Sequence, residues 1–164
     1  MDHITDHEIE LYPPEVFKTL LQHEVNKSRR YGDSLTLIHF AVETDPPTPQ
    51  AQHSAEVFAI NVLNIHLRET DISCKQNNEF LLLMPSTSAP GARTACERLR
   101  KLMNVEHQTY DKVSFALSTF IGLETMPPDH MMSSEELEEH ASKAMEHARA
   151  NHLNSVVVFS EFYK

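Results

Sequence analysis

The spacing of apolar positions changes several times along the chain, and each change marks an element. Phe17, Leu20, Leu21 and Val25 share one helical face behind Pro13-Pro14-Glu15, which predicts a first helix with proline in its opening turn. Lys27, Arg29 and Arg30 fall in its last turn, where cations suit the negative end of the helix dipole, and Gly32 ends it. Residues 35–42, LTLIHFAV, form a mostly apolar run that predicts a buried strand. The proline-rich ETDPPTPQ that comes next is expected as a loop, excluded from helix and from central strand.

A second helical face is marked by Ala55, Phe58, Ala59, Val62, Leu63 and His66. Residues 72–75 and 79–84 predict two short strands about a tight turn, with Asn77-Asn78 at its tip because Asn tolerates positive φ. A third helix carries Ala92, Ala95, Cys96, Leu99 and Met103 on its inner face, with Ser88 as cap and Pro90 in the first turn. Residues 113–122 predict a strand and MPPDHM a loop. Ser133-Ser134-Glu135-Glu136 reads as a capping box before a last helix with Leu137, Ala141, Ala144, Met145 and Ala148 inward, and residues 155–159, SVVVF, predict a final strand. From residue 35 the order is strand, helix, strand, strand, helix, strand, then helix and strand. Its first six elements have the split βαβ, ferredoxin-like order, which predicts a mixed central sheet flanked by helices, an α/β (α+β) fold.

The 164 residues suffice for a single domain, 1–164, and the acidic start MDHITDHEIE suits a segment cut from a longer chain. A formal net charge of −10 argues against wholesale binding to nucleic acid, although a local basic patch can still hold a small anion. Arg93, Arg98, Arg100 and Lys101 make the third helix locally basic, which reads either as such a patch or, more plainly, as an exposed face. Cys74 and Cys96 lie in apolar surroundings without a CxxC spacing, so buried free thiols in a reducing cytoplasm are expected. No apolar run is long enough to predict membrane insertion. Eleven histidines invite a metal reading, with His140, His147 and His152 near Glu136, but no HExxH appears, and surface positions on an acidic helix are the plainer expectation. Met103, Met126, Met131 and Met132 are expected mainly as core or loop residues.

The order and spacing of several segments resemble the GGDEF domain of diguanylate cyclases. Asp6, Leu11 and Phe17 match the spaced residues of that family's opening motif, and EVNKSRRYGDSLTLI resembles its first helix, Arg-x-Gly bend and first strand. LRETDISC resembles the segment before the signature hairpin, and Glu79-Phe80 matches the end of the signature. PSTSAPGARTACERLR resembles the segment after the hairpin, and ASKAMEHARANHLN the last helix, with Ala141, Ala144, Ala148 and Asn154 in register. The resemblance implies a bacterial signalling domain whose relatives condense two GTP molecules to cyclic di-GMP, using metal ions to neutralise triphosphate charge.

Much of the machinery so implied has been replaced. The metal-binding aspartate aligns with Ala41, which has no oxygen ligand, although Glu43 is two residues on. The phosphate- and guanine-contacting stretch becomes TDPPTPQAQHSA, and the Asn-Arg pair of the opening motif becomes Pro13-Pro14. The signature itself reads Gln76-Asn77-Asn78-Glu79-Phe80, without its glycines and its first carboxylate. The phosphate-binding lysine aligns with Arg149 and a later arginine with Leu153. Removing one electrostatic donor from an active site commonly costs about 10²–10³ in rate, so the expectation is no catalysis, no cofactor and no metal. By contrast, Arg68-Glu69-Thr70-Asp71 resembles the family's inhibitory site for its product, and Arg98 falls where a further arginine of that site belongs. The resemblance thus implies cyclic di-GMP as ligand of Arg68, Asp71 and Arg98, with a homodimer or a neighbouring signalling domain as the responding partner. Retention of the fold for dimerisation alone, or an altered enzyme using Glu43 and Glu79, are the competing expectations. Counted from Phe80, the gap after Asp71 is one residue shorter than usual, which turns the pair to the other face unless the turn absorbs it.

Overall fold

The computed structural model describes residues 11–110, 112–129, 131–153 and 155–162. The expected matches at Asp6 and Asn154 lie outside them. The elements run β1 (Leu11–Tyr12), α1 (Pro14–Tyr31), β2 (Leu35–Asp45), α2 (Pro49–His66), β3 (Ile72–Gln76), β4 (Glu79–Pro85), α3 (Ala89–Met103), β5 (Val105–Tyr110), β6 (Val113–Met126), α4 (Ser134–Ala150), β7 (Val157–Val158) and α5 (Phe159–Phe162). The strands make one mixed sheet in the order β1-β3-β4-β2-β6-β5, with β7 parallel to β6 beyond the end of β5. β2 is central, antiparallel to β4 on one side and to β6 on the other.

Alternation along β2 and β4 divides the core between two sheet faces. Ile38, Phe40, Val42, Phe80 and Leu82 pack under α2 and α3, and Phe40 stacks on Phe80 with ring centroids 4.8 Å apart. Leu35, Leu37, Leu81 and Leu83 point the other way, onto Phe17, Leu21 and Val25 of α1 and Leu137 and Ala141 of α4. α4 comes especially close to the sheet. A Cβ on Gly122 of β6 would stand 2.1 Å from the Met145 backbone nitrogen, so only glycine permits this approach.

Most element ends obey the chemistry expected of them. Gly32 closes α1 at φ 72°. Ser88 caps α3, and Ser133 with Glu136 forms a capping box at α4. Five expectations need correction. β2 runs on through Asp45, and α2 already begins at Pro49 with Thr48 as its cap, so the proline-rich loop is shorter than its composition suggests. Proline is compatible with the first turn of a helix because its missing N–H has no partner there anyway. β5 is an additional strand that the pattern does not predict; it is a polar edge strand lacking a clean alternation, held by pairing to β6. β6 continues to Met126 rather than Gly122, and the final strand is only Val157–Val158, after which Phe159 opens α5. His66 is exposed, not turned inward with Ala59 and Leu63. Met103, Met126 and Met132 are core residues, whereas Met131 is 77% exposed.

Candidate functional site

The signature segment forms the β3–β4 hairpin. Gln76 pairs with Glu79, leaving Asn77-Asn78 as a two-residue tip, and Asn77 takes φ 59°, a conformation its short polar side chain tolerates. Lys75 Nζ donates to the Asn77 carbonyl at 2.6 Å and lies 3.2 Å from Glu56 Oε1, which ties the hairpin to α2. Phe80 is fully buried beneath α2 and α3.

Glu79 points to the opposite face. Its Oε1 lies 2.7 Å from His39 Nε2 on β2, and its Oε2 accepts from Arg149 Nη2 of α4 at 3.1 Å. Arg149 also binds Glu146, and Glu146 foremost, then Glu79, raise the affinity of its guanidinium for its proton. Ala41, directly across from Glu79 in the sheet, is completely buried. Glu43 lies elsewhere, in a cavity with Thr44, Thr48, Gln52 and Asn78 whose lining contains no cation. Among the described residues, no group of three or more His, Cys, Asp or Glu side chains comes together as a metal site. His140 instead stacks on Phe159 at 3.9 Å and approaches Glu124 at 3.3 Å, while His147 contacts Phe162.

At the other end of β4, Arg68, Asp71 and Arg98 line one cavity of about 400 Å³. Its walls are the end of α2 (His66, Leu67), the loop residues Ser86, Thr87 and Ser88, and the α3 residues Gly91, Ala95 and Leu99. Arg68 and Asp71 form an ion pair with Nη2 to Oδ1 at 2.9 Å, and Asp71 Oδ2 also accepts from the Arg68 backbone N–H at 2.9 Å. Arg68, Asp71 and Arg98 thus line one cavity even with the shorter gap after Asp71. Of the basic residues on α3, Arg93 pairs with Glu161 and Arg100 with Glu97. Arg98 makes no hydrogen bond or ion pair among the described residues. Sequence reasoning does not single out Thr87 and His66 as cavity residues; only their positions, in the loop after β4 and at the end of a helix, could draw attention to them.

A split βαβ order closed into a mixed sheet, with helices on both faces, defines a domain of the nucleotide-cyclase type. Residues 57–155, more than half of the chain, match the family "Diguanylate cyclase, GGDEF domain", and the chain belongs to that family. Solved structures share the fold. The GGDEF domain of DgcB from Caulobacter crescentus, solved in complex with c-di-GMP, is similar with a TM-score of 0.81 at 15% identity, over 97% of this chain and 96% of that one. Diguanylate cyclase SiaD from Pseudomonas aeruginosa, solved with its activator SiaC, gives 0.79 at 20% identity, over 90% of this chain and 58% of that one. The active GGEEF domain of a diguanylate cyclase from Vibrio cholerae gives 0.76 at 12% identity, over 92% of this chain and 98% of that one. No match is found among the curated proteins. No helix among the described residues is long and apolar enough to cross a membrane.

Proposed function

We propose that this chain is a regulatory GGDEF domain that binds cyclic di-GMP without making it. The observation that carries the reading is the cavity of about 400 Å³ that gathers Arg68, Asp71 and Arg98. Its volume lies within the range of small-ligand sites, and it concentrates cationic groups on a chain of net charge −10. Guanidinium groups grip phosphate through forked, charge-assisted hydrogen bonds. The relative from Caulobacter crescentus, solved with c-di-GMP, supports the choice of ligand.

Loss of catalysis is supported from the opposite end of β4. Glu79, the remaining signature carboxylate, is engaged by His39 and Arg149, and Ala41 beside it offers no oxygen. A divalent cation there would have to displace a guanidinium to reach one carboxylate. In a bacterial cytoplasm, ligand binding would act by favouring one arrangement of a neighbouring domain or of a dimer over another.

Thermal melting with added ligand tests both halves. At a cyclic di-GMP concentration 100 times the dissociation constant, the protein gains about 2.7 kcal/mol, and Arg68→Ala or Arg98→Ala abolishes the rise in melting temperature. Incubation with GTP and magnesium yields no cyclic di-GMP by chromatography. Product accumulation would overturn the loss of catalysis, and an unchanged melting temperature of the wild type would overturn the receptor reading.

A further inference from the structure

The Arg68 side chain is half exposed, yet its position is fixed from inside the sheet. Its Nη2 donates to Thr87 Oγ1 at 2.6 Å and to the Pro85 carbonyl at 3.3 Å. The Thr87 hydroxyl has a single proton, which goes to the Pro85 carbonyl at 2.9 Å. Its lone pairs are therefore left to accept from Arg68. Both backbone groups of Thr87 are tied to the chain entering β2. Its N–H donates to the Ser34 carbonyl at 3.3 Å, and its carbonyl accepts from Thr36 Oγ1 at 2.8 Å. Thr36 is completely buried, with Met84 of β4 on one side and Thr125 of β6 on the other. Because the Thr36 proton is given to Thr87, its oxygen accepts from the Thr125 hydroxyl, 2.7 Å away. The chain of hydroxyls runs from β6 through β2 to the loop after β4 and ends on Arg68. Thr36 itself is not among the residues that line the cavity.

Resting on the function proposed above, we propose that Thr36 is a positioning residue for the ligand site: through Thr87 it holds the Arg68 guanidinium where a ligand meets it. An arginine side chain has wide rotamer freedom, and whatever part is not removed in advance must be lost on binding. The loop that carries Thr87 has no helix or strand of its own, and Ser86 within it takes φ 51°. A residue other than glycine keeps that conformation only where its surroundings enforce it. The bonds from Thr87 to Ser34 and Thr36 supply the enforcement. Without the Thr36 hydroxyl, the Thr87 carbonyl loses its partner, the loop relaxes, and the acceptor for Arg68 moves with it. The centre of the sheet thereby sets the affinity of a site at its end. This role is the same whichever group of the ligand Arg68 grips.

Calorimetric titration with cyclic di-GMP, alongside thermal melting of the unliganded proteins, provides the test. Thr36→Val keeps the shape and removes the hydroxyl, whereas Thr36→Ser keeps the hydroxyl and removes a buried methyl, which lowers stability. Thr36→Val is expected to raise the dissociation constant by about threefold to tenfold, the range of one intramolecular hydrogen bond. Thr36→Ser is expected to bind within about twofold of the wild type although it too melts lower. Thr87→Val removes the acceptor itself at a half-buried loop position that does not threaten folding, and is expected to weaken binding at least as much. Affinity that follows the melting temperature instead, with Thr36→Ser as weak as Thr36→Val, overturns the inference. Wild-type affinity in Thr36→Val or in Thr87→Val overturns it likewise, and each of these outcomes leaves the proposed function standing. Absence of binding by the wild type overturns the inference and the proposed function together.

Discussion

Gly122 sets the distance between two layers. It lies in β6 opposite His39, and the backbone of Ala144 and Met145 in α4 passes directly over it. Its φ is not what demands glycine; the space is. Because the nearest atoms a Cβ would meet are backbone, no side-chain rotation can relieve the clash, and the whole helix must move. Gly122→Ala is expected to lower unfolding stability by about 3 kcal/mol or more, read as a shift of the denaturation midpoint in urea. A loss below about 1 kcal/mol would mean that α4 slides along the sheet instead of resting on it.

Strand β4 is the element that separates the signature hairpin from the Arg68 cavity. Its seven residues span about 20 Å, with Glu79 first and Pro85 last. Glu79 faces α4, and the Arg68 cavity opens at the other end on the face of α2 and α3. Alternate side chains along a strand face opposite layers, so the Glu79 side chain and the far cavity lie on different faces of the sheet. Arg149 now ties β4 to α4, and His39 ties it to β2. Glu79→Gln is expected to destabilise by about 1 kcal/mol at most, since Glu79 and Arg149 each keep roughly a quarter of their side-chain surface in water and the attraction is screened. The same variant is expected to bind cyclic di-GMP as the wild type does. A changed affinity in titration would show that the two ends of the strand are coupled.

For the molecule as a whole, pH acts through carboxylates that fold into ion pairs. Glu97 of α3 accepts from Arg100 Nε at 2.8 Å and from the Val156 backbone N–H at 3.2 Å, so it fastens the segment leading into β7. Burial pushes its carboxyl up, but the hydrogen bonds from Arg100 and Val156, with the charges of Arg100 and Lys101, outweigh burial and hold it below its ordinary value of 4.5. A carboxyl lowered by folding contributes stability that is complete above its unfolded value and is lost as pH falls through its folded one. Glu97→Gln is therefore expected to melt below the wild type at pH 7, with the gap closing progressively below pH 4.5. A gap independent of pH would show that Glu97 acts by packing alone. Glu138 works in the opposite sense. Its raised value, caused first by burial and then by Glu135 against Lys18 and His39, means that it opposes folding slightly as pH rises through that range.

The local pattern of residues was enough to determine the bodies of the four long helices, the caps of α1, α3 and α4, the hairpin and the alternation that builds two cores, because each depends on neighbours a few residues away. Ser88, Ser133 and Gly32 act where their chemistry placed them. Strand β5 was not legible, since a polar edge strand is specified by its partner β6 and not by its own sequence. The three residues Arg68, Asp71 and Arg98 were legible as a set, but only through resemblance to a family. That they face one cavity, and that Glu79 is bound by Arg149 seventy residues away, were decided by tertiary structure alone. The physical reason is that a side chain's free hydrogen-bonding capacity depends on what the folded chain brings within about 3 Å of it, and sequence separation carries no information about that distance.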